Sequence, residues 1–367
     1  MITLERFQEI CKKYEVKNAC ITLVENNKSY TYSYGYQDID KNILLENDGI
    51  FRIASISKTV LAIGAMHLKE EGLLDLDKDI SLYLGFPVRN PHYPDSIITT
   101  RMLMTQTSSI TDGFDDEDLS YDGDRVDGYN GVNGRYLNVS LKEMLTPSKS
   151  PYYSDLTYSK YIPGEHFIYS NFGCGILACI IEKITGKNYD QYMKEFCFQK
   201  LGLDASYYAV DIKKRDKIVT LYNGLNKRDM PSFIEKCYPK AKIGESYLGV
   251  AGGLFISMPE LSKIMMSFWK KDYQLLKDET IKKMMTVNWE GHADEYRKKG
   301  LQMIIMDGYA PFSLYGHFGS AYGLRSMMLF NKELETGVCF ACSGGNINYR
   351  SDSIPSIHYD LIKEIWK

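Results

Sequence analysis

No stretch of this 367-residue chain approaches the roughly 18 to 20 consecutive apolar residues of a membrane-spanning helix, so no such helix is expected. The opening Met1-Ile2-Thr3-Leu4-Glu5-Arg6-Phe7 is broken early by acidic and basic residues and lacks a signal-peptide pattern. The expected compartment is the cytoplasm if the chain is full length, or the cell envelope or exterior if a leader has been removed. No charge of one sign prevails. A net charge of −3 offers no electrostatic case for nucleic acid or an acidic membrane surface. There is no internal repeat and no low-complexity linker.

The cysteines do not demand a disulfide framework either. The eight cysteines are Cys11, Cys20, Cys174, Cys179, Cys197, Cys237, Cys339 and Cys342. Most lie in apolar runs, where a free cysteine behaves as a small hydrophobe. Cys339 and Cys342 have Cys-x-x-Cys spacing, but Gly337–Cys342 reads as a strand, which sends positions i and i+3 to opposite faces. No redox or zinc role is expected, and nothing demands an oxidising compartment. The acidic stretch Asp112-Gly113-Phe114-Asp115-Asp116-Glu117-Asp118, then Asp122-Gly123-Asp124, misses the EF-hand pattern of Gly at position six and Glu at twelve. It reads as a solvated loop, with a lid over a cleft as the sharper alternative.

The composition present is that of a soluble globular protein, 44% hydrophobic and 25% charged. The length suits one composite domain or two. The 29 tyrosines and 16 methionines suit an aromatic-lined cleft, and equally suit codon bias.

The patterns predict a helix over Leu4–Tyr14, strands over Ala19–Glu25 and Ser29–Tyr36, and a helix from Thr59 to Glu71. A short helix is predicted near Thr99–Thr107, and further helices over Gly173–Thr185, with Gly186 as C-cap, and over Tyr189–Leu201. Residues 211–244 read as a surface excursion. Gly252–Ser257 reads as a tight turn feeding a helix that begins at Met258-Pro259-Glu260, with Pro259 suited to the first helical position. Strands follow over Gln302–Asp307, Ser313–His317, Leu324–Asn331 and Gly337–Cys342, then a helix over Ile354–Trp366. Strands at both ends with helices between them imply an α+β fold: one antiparallel sheet built from both termini, flanked by helices, with a mainly helical domain inserted. The expected limits are 1–75 with 245–367 for the sheet domain and 76–244 for the helical one, with an acidic insert around 109–137.

Three segments carry chemistry. In Ser55-Ile56-Ser57-Lys58 the apolar lead-in Ile53-Ala54 runs into a helical pattern, placing Ser55 at a helix start with Lys58 one turn on. A desolvated lysine can take the serine's proton. A capping serine with an exposed lysine is the bland alternative. A second copy, Ser267-Phe268-Trp269-Lys270, sits in a Met- and aromatic-rich run that reads as packed helix. In Tyr169-Ser170-Asn171, a tyrosine near an ammonium ionises more easily and can relay a proton. The Asn171 amide can hold a substrate carbonyl, or cap the helix that follows. In His317-Phe318-Gly319, a strand with a small residue lets an extended substrate lie alongside. The N–H of Ser320 can pair with that of Ser55 as an oxyanion hole.

In this order the segments resemble the serine β-lactamase and penicillin-recognising superfamily. They are most similar to its class C branch of DD-peptidases, D-aminopeptidases and β-lactamase-fold esterases. Phe51–Lys58, Pro163–Gly186, Gly252–Ser257 and Gly316–Gly323 carry the likeness, which spans roughly residues 17 to 345. It implies a β-lactamase/transpeptidase-like fold and an acyl-enzyme. Ser55 is then the nucleophile, Lys58 and Tyr169 share proton transfer, and Asn171, His317, Gly319 and Ser320 bind substrate. No metal or organic cofactor is implied. Two departures matter. His317, mostly neutral near pH 7, stands where many members carry lysine, with Arg325 as a candidate for the missing charge. Thr105-Gln106-Thr107-Ser108-Ser109 replaces the usual His-Thr-Ser-Gly.

The expected function is a serine hydrolase acting on an amide or ester: a D-amino-acid peptide, a β-lactam or a small ester. The alternatives are a penicillin-binding sensor or scaffold that acylates with little turnover, an esterase or acyltransferase of the same fold, and a purely structural module. The expected partner is a small-molecule or peptide substrate, with no nucleic acid, and the chain is expected to be monomeric.

Overall fold

The computed structural model describes residues 2–112, 139–148, 152–224, 226–228, 240–291, 297–321 and 323–367. The acidic insert, and any lid it forms, lies outside the described residues from Gly113 on. The chain divides into two compact units. One comprises Met1–Val60, Cys197–Ser232 and Gly252–Lys367; the other comprises Leu61–Phe196 and Phe233–Ala251. Residues 61–75 therefore group with the helical unit and 197–232 with the sheet unit, away from the expected limits. Local bonds explain both. Gly64 accepts a 2.9 Å hydrogen bond from the Tyr192 hydroxyl, while Ser206 exchanges backbone bonds of 2.8 and 3.2 Å with Phe255.

The sheet unit opens with α1 (Leu4–Lys13). Among the described residues its main sheet has nine strands, in the order β3-β2-β1-β13-β12-β11-β10-β9-β8. They are β1 (Asn18–Glu25), β2 (Lys28–Asp38), β3 (Ile43–Leu44), β8 (Trp289–Glu290), β9 (Lys298–Lys299), β10 (Ile304–Met306), β11 (Leu314–Ala321), β12 (Leu324–Asn331) and β13 (Thr336–Ser343). Neighbouring strands are antiparallel, and Ala19 faces Cys342 across the β1–β13 pair, so both ends of the chain share one sheet. One face packs Phe7 and Ile10 of α1 with Ile21, Phe318, Met327 and Phe340, together with Ile357 and Leu361 of the final helix. That helix begins at Ser356, two residues later than expected. The other face meets the helix Met258–Met266, whose Met265 Sδ lies 3.9 Å from Cys339 Sγ. The segment Gly252–Ser257, expected as a turn, ends as strand β7 (Phe255–Ser257), paired with β4 (Ile50–Arg52). The small hairpin β5 (Leu221–Asn223) and β6 (Asn226–Arg228) falls in the expected excursion.

In the helical unit, the short helices among the described residues include α3 (Ser81–Leu84), α4 (Thr100–Thr105), α5 (Leu141–Leu145) and α7 (Tyr189–Met193). Between the last two runs α6 (Asn171–Thr185), with every residue from Phe172 to Glu182 buried. Gly186 ends α6 in the left-handed conformation, φ 68°. The backbone of Tyr247 passes so close that a Cβ on Gly175 would lie 2.1 Å from its carbonyl oxygen. The helix expected to reach Leu201 loosens after Met193 into a π-helical turn, Lys194–Phe198. Among the described residues no helix is long and apolar enough to cross a membrane.

Candidate active site

Ser55 lies in a single 3₁₀ turn, Ala54–Ile56, between β4 and α2 (Ser57–Glu70). Ala54 enters it at φ 50°, a left-handed conformation that costs a residue with a Cβ roughly 1–2 kcal/mol. Bonds from several directions hold it. Ser57 Oγ donates to Ala54 O at 2.7 Å. Ser326 Oγ on β12 donates to Ile53 O at 2.9 Å. Ile53 N donates to Leu254 O at 2.9 Å. The outcome is a half-buried Ser55 and a Lys58 with 0% of its surface exposed, whose Nζ donates to Ser55 Oγ at 3.0 Å. The second copy of the motif differs. Ser267 follows the helix Met258–Met266, and its Oγ is committed to Ile264 O at 2.6 Å.

Strand β11 continues past the expected His317 end to Ala321, carrying the whole third segment along the Ser55 turn. A Cβ on Gly319 would lie 2.5 Å from Ile53 O and 3.2 Å from Ala54 Cβ, so only glycine lets the strand come this near. His317 is fully buried, with Nδ1 2.6 Å from Phe318 O. A carbonyl only accepts, so Nδ1 carries the proton. Burial first, then the charges of Lys299 and Lys58, hold the imidazole well below its usual range, and it is neutral. Arg325 is not the missing cation. It pairs across from Ser320 on the face shared with Phe318 and Met327, opposite to His317, and its guanidinium lies 5.2 Å from the Tyr349 ring. The cation beside His317 that the sequence reading missed is Lys299 of β9, itself fully buried. A Lys-Lys pair before a glycine looks like any solvated turn. Ser320 Oγ is 3.0 Å from the Tyr349 hydroxyl.

Tyr169 and Asn171 belong to the helical unit, both partly buried. Ser170, not Asn171, caps α6: its Oγ accepts from Gly173 N at 2.9 Å. Asn171 takes the first helical position, and its Nδ2 donates to Asp112 Oδ2 at 2.8 Å. The same carboxylate accepts from Phe172 N at 2.8 Å and Ser170 Oγ at 3.1 Å. Burial raises the Asp112 pKa, and these hydrogen bonds oppose the rise. In the sequence Asp112 looked like the first residue of a solvated acidic loop. The departing Thr105–Ser109 segment still makes a tight bend, with Gln106 at φ 64° and Ser109 at φ 62°. Gln106 braces the motif, since Oε1 accepts from Ser170 N and its carbonyl from Ile168 N, each at 2.8 Å.

The family profile described as Beta-lactamase matches residues 5–352. The chain belongs to the beta-lactamase family. Penicillin-binding protein 4* of Bacillus subtilis (strain 168) is 26% identical over 198 residues, which cover 54% of this chain and 39% of that protein. The D-amino acid amidase of Ochrobactrum anthropi SV3, solved with D-phenylalanine, superposes with a TM-score of 0.70 at 18% identity, covering 98% of this chain and 96% of that one. The octameric penicillin-binding protein homologue from Pyrococcus abyssi gives 0.70 at 21%, covering 97% and 74%. At these identities the two structures speak for the fold: a large antiparallel sheet with helices, as beta-lactamase family members have.

Proposed function

We propose that this chain is a serine hydrolase that forms an acyl-enzyme on Ser55 from an amide or ester. The observation that carries the reading is the 3.0 Å approach of Lys58 Nζ to Ser55 Oγ, with the amine withdrawn from water. A charged Lys58 donates to the hydroxyl. Once it loses a proton its lone pair accepts the Ser55 proton instead, and Oγ becomes a nucleophile. Oγ bonds to the acyl carbon, and the carbonyl electron pair moves onto oxygen. The backbone N–H groups of Ser55 and Ser320 are assigned to that oxyanion. When the oxyanion collapses, the bond to the leaving group breaks and the leaving group takes the proton, with Tyr169 sharing the relay. Water repeats the sequence, releasing the acid and restoring Ser55.

Asn171 is assigned to the substrate carbonyl. His317 and Gly319 line the strand alongside. A neutral His317 holds a carboxylate less firmly than a fixed cation does, which favours amides and esters of D-amino acids over β-lactams as turnover substrates. The likeness to a D-amino acid amidase supports that choice.

The test is intact-protein mass spectrometry after incubation with a fluorophosphonate and with a fluorescent penicillin. Wild type is expected to gain one adduct with each reagent, and Ser55→Ala neither. An adduct that survives Ser55→Ala would falsify the nucleophile.

A further inference from the structure

The proposed chemistry leaves one carboxylate at the start of α6 without a task. Asp112 Oδ1 accepts from Phe172 N at 2.8 Å and from Ser170 Oγ at 3.1 Å, and Oδ2 accepts from Asn171 Nδ2 at 2.8 Å. We propose that Asp112 is a positioning residue that decides which end of the Asn171 amide is offered to substrate.

The argument is one of donors and acceptors. An amide has two unlike ends of similar shape, an NH₂ that donates and an oxygen that accepts. A carboxylate whose two oxygens each take an N–H donor acts as an acceptor on both sides. Two donors hold Oδ1, one of them a backbone N–H that cannot change its character, and the backbone N–H of Asn171 also bonds the carboxylate. Oδ2 is thereby aimed at Asn171, and it selects the NH₂ end. A flipped Asn171 would set its oxygen against Oδ2, two acceptors face to face with no proton between them. Asp112 thus fixes which way the Asn171 amide faces, with its NH₂ toward the carboxylate and its Oδ1 turned away from it. The neighbouring residues are braced as well, because Gln106 Oε1 holds Ser170 N at 2.8 Å. A negative charge at the N-terminus of a fifteen-residue helix is also favourably placed.

This inference rests on the reading of Asn171 as a substrate-binding residue, and it yields a test specific to the amide. In Asp112→Asn, Phe172 N and Ser170 Oγ keep the new side-chain oxygen where Oδ1 was. Its NH₂ then takes the place of Oδ2, and Asn171 has to turn its oxygen toward it. The fold survives while the amide is inverted. The rates of adduct formation are followed by intact mass with two reagents. A fluorescent penicillin carries an acylamino carbonyl for Asn171 to bind; a fluorophosphonate has none.

Asp112→Asn is expected to slow the penicillin adduct by about 10- to 100-fold and the fluorophosphonate adduct by less than about 3-fold. Asp112→Ala, which removes the acceptor without supplying a donor, should fall between wild type and Asp112→Asn for penicillin. In an Asn171→Ala background, Asp112→Asn should cost less than about 2-fold more. Equal losses with both reagents, or losses that multiply in the double variant, would overturn the proposal in favour of a merely structural Asp112. A wild type acylated by both reagents and variants that match it would sink this inference alone. A wild type acylated by neither sinks the hydrolase reading, and this inference with it.

Discussion

Gly319 shows how one missing methyl group governs the geometry beside Ser55. Its Cβ would sit 2.3 Å from Ser326 Oγ and 2.5 Å from Ile53 O, the two atoms of the bond that ties β12 to the Ser55 turn. Neither atom belongs to a flexible chain end. Gly319→Ala is expected to push the turn off the strand and to slow fluorophosphonate labelling by about 10-fold or more, and an unchanged rate would mean that the strand and turn part freely. His358 behaves differently. It is fully buried, its ring is stacked 5.2 Å from that of Phe318, and neither nitrogen has a hydrogen-bond partner among the described residues. Burial, helped by the charge of Arg325, pushes it down to about 3. The unfolded chain binds a proton there near pH 6.5, whereas the native one does not, so stability is lost as pH falls below that value. The loss is about 2 kcal/mol between about pH 6.5 and about pH 5. His358→Phe should flatten the pH dependence of the urea midpoint without abolishing it, because the depressed His317 acts in the same direction. An unflattened slope would rule His358 out as a contributor. Among the site residues, spacing placed Ser55 and Lys58 one turn apart on one face, and the structure decided between an exposed lysine and the buried one that reaches Ser55 Oγ. Lys299 and Asp112 were not, because a charged side chain in a polar run looks the same whether it is later buried or solvated.

Element by element, the apolar pattern of α6 and its glycine stop predicted the helix well. They did not reveal Glu182, a fully buried carboxylate near its end. Its Oε1 accepts from Tyr189 N at 2.8 Å and Ser246 Oγ at 2.6 Å, and its Oε2 from Gly244 N at 2.6 Å and Ser246 N at 3.3 Å. These bonds staple α6 to α7 and to the strip at 244–246. Glu182→Ala strands those donors away from water and should cost about 3 kcal/mol or more in urea unfolding. A loss under about 1 kcal/mol would show that water replaces the carboxylate. Strand β11 was expected to end at His317, with Gly319 as a small residue beside which an extended substrate could lie. The strand continues because Gly316 and Gly319 both answer to close neighbours: a Cβ on Gly316 would lie 1.8 Å from Met328 O.

At the scale of the whole chain, the sheet depends on elements that are far apart in sequence. The helix Ser356–Ile365 covers the same face as α1, placing Ile357, Leu361 and Ile362 in one cluster with Phe7 and Phe340. Removing residues 354–367 deletes several side chains, each worth about 2–5 kcal/mol, from a fold with a total margin of about 5–15. The truncated chain should lack a cooperative thermal transition by circular dichroism, and a sharp transition would show that the sheet stands without its last helix. The division into units was only partly legible. Hydrophobic period marks where elements begin and end, but not which neighbours they pack against; hence residues 197–232 were expected with the wrong partner unit.

Sequence alone determined the elements with a strong period, the antiparallel sheet shared by both termini, and the one-turn spacing of Ser55 and Lys58. Each follows from local rules, namely side-chain spacing, backbone allowance and short-range reach. Tertiary structure alone decided that Lys299 is buried beside His317, that Arg325 lies on the opposite face of the sheet, and that Asp112 holds the Asn171 amide. Burial and the identity of a distant partner set a group's charge and orientation, and neither is written in the residues next to it.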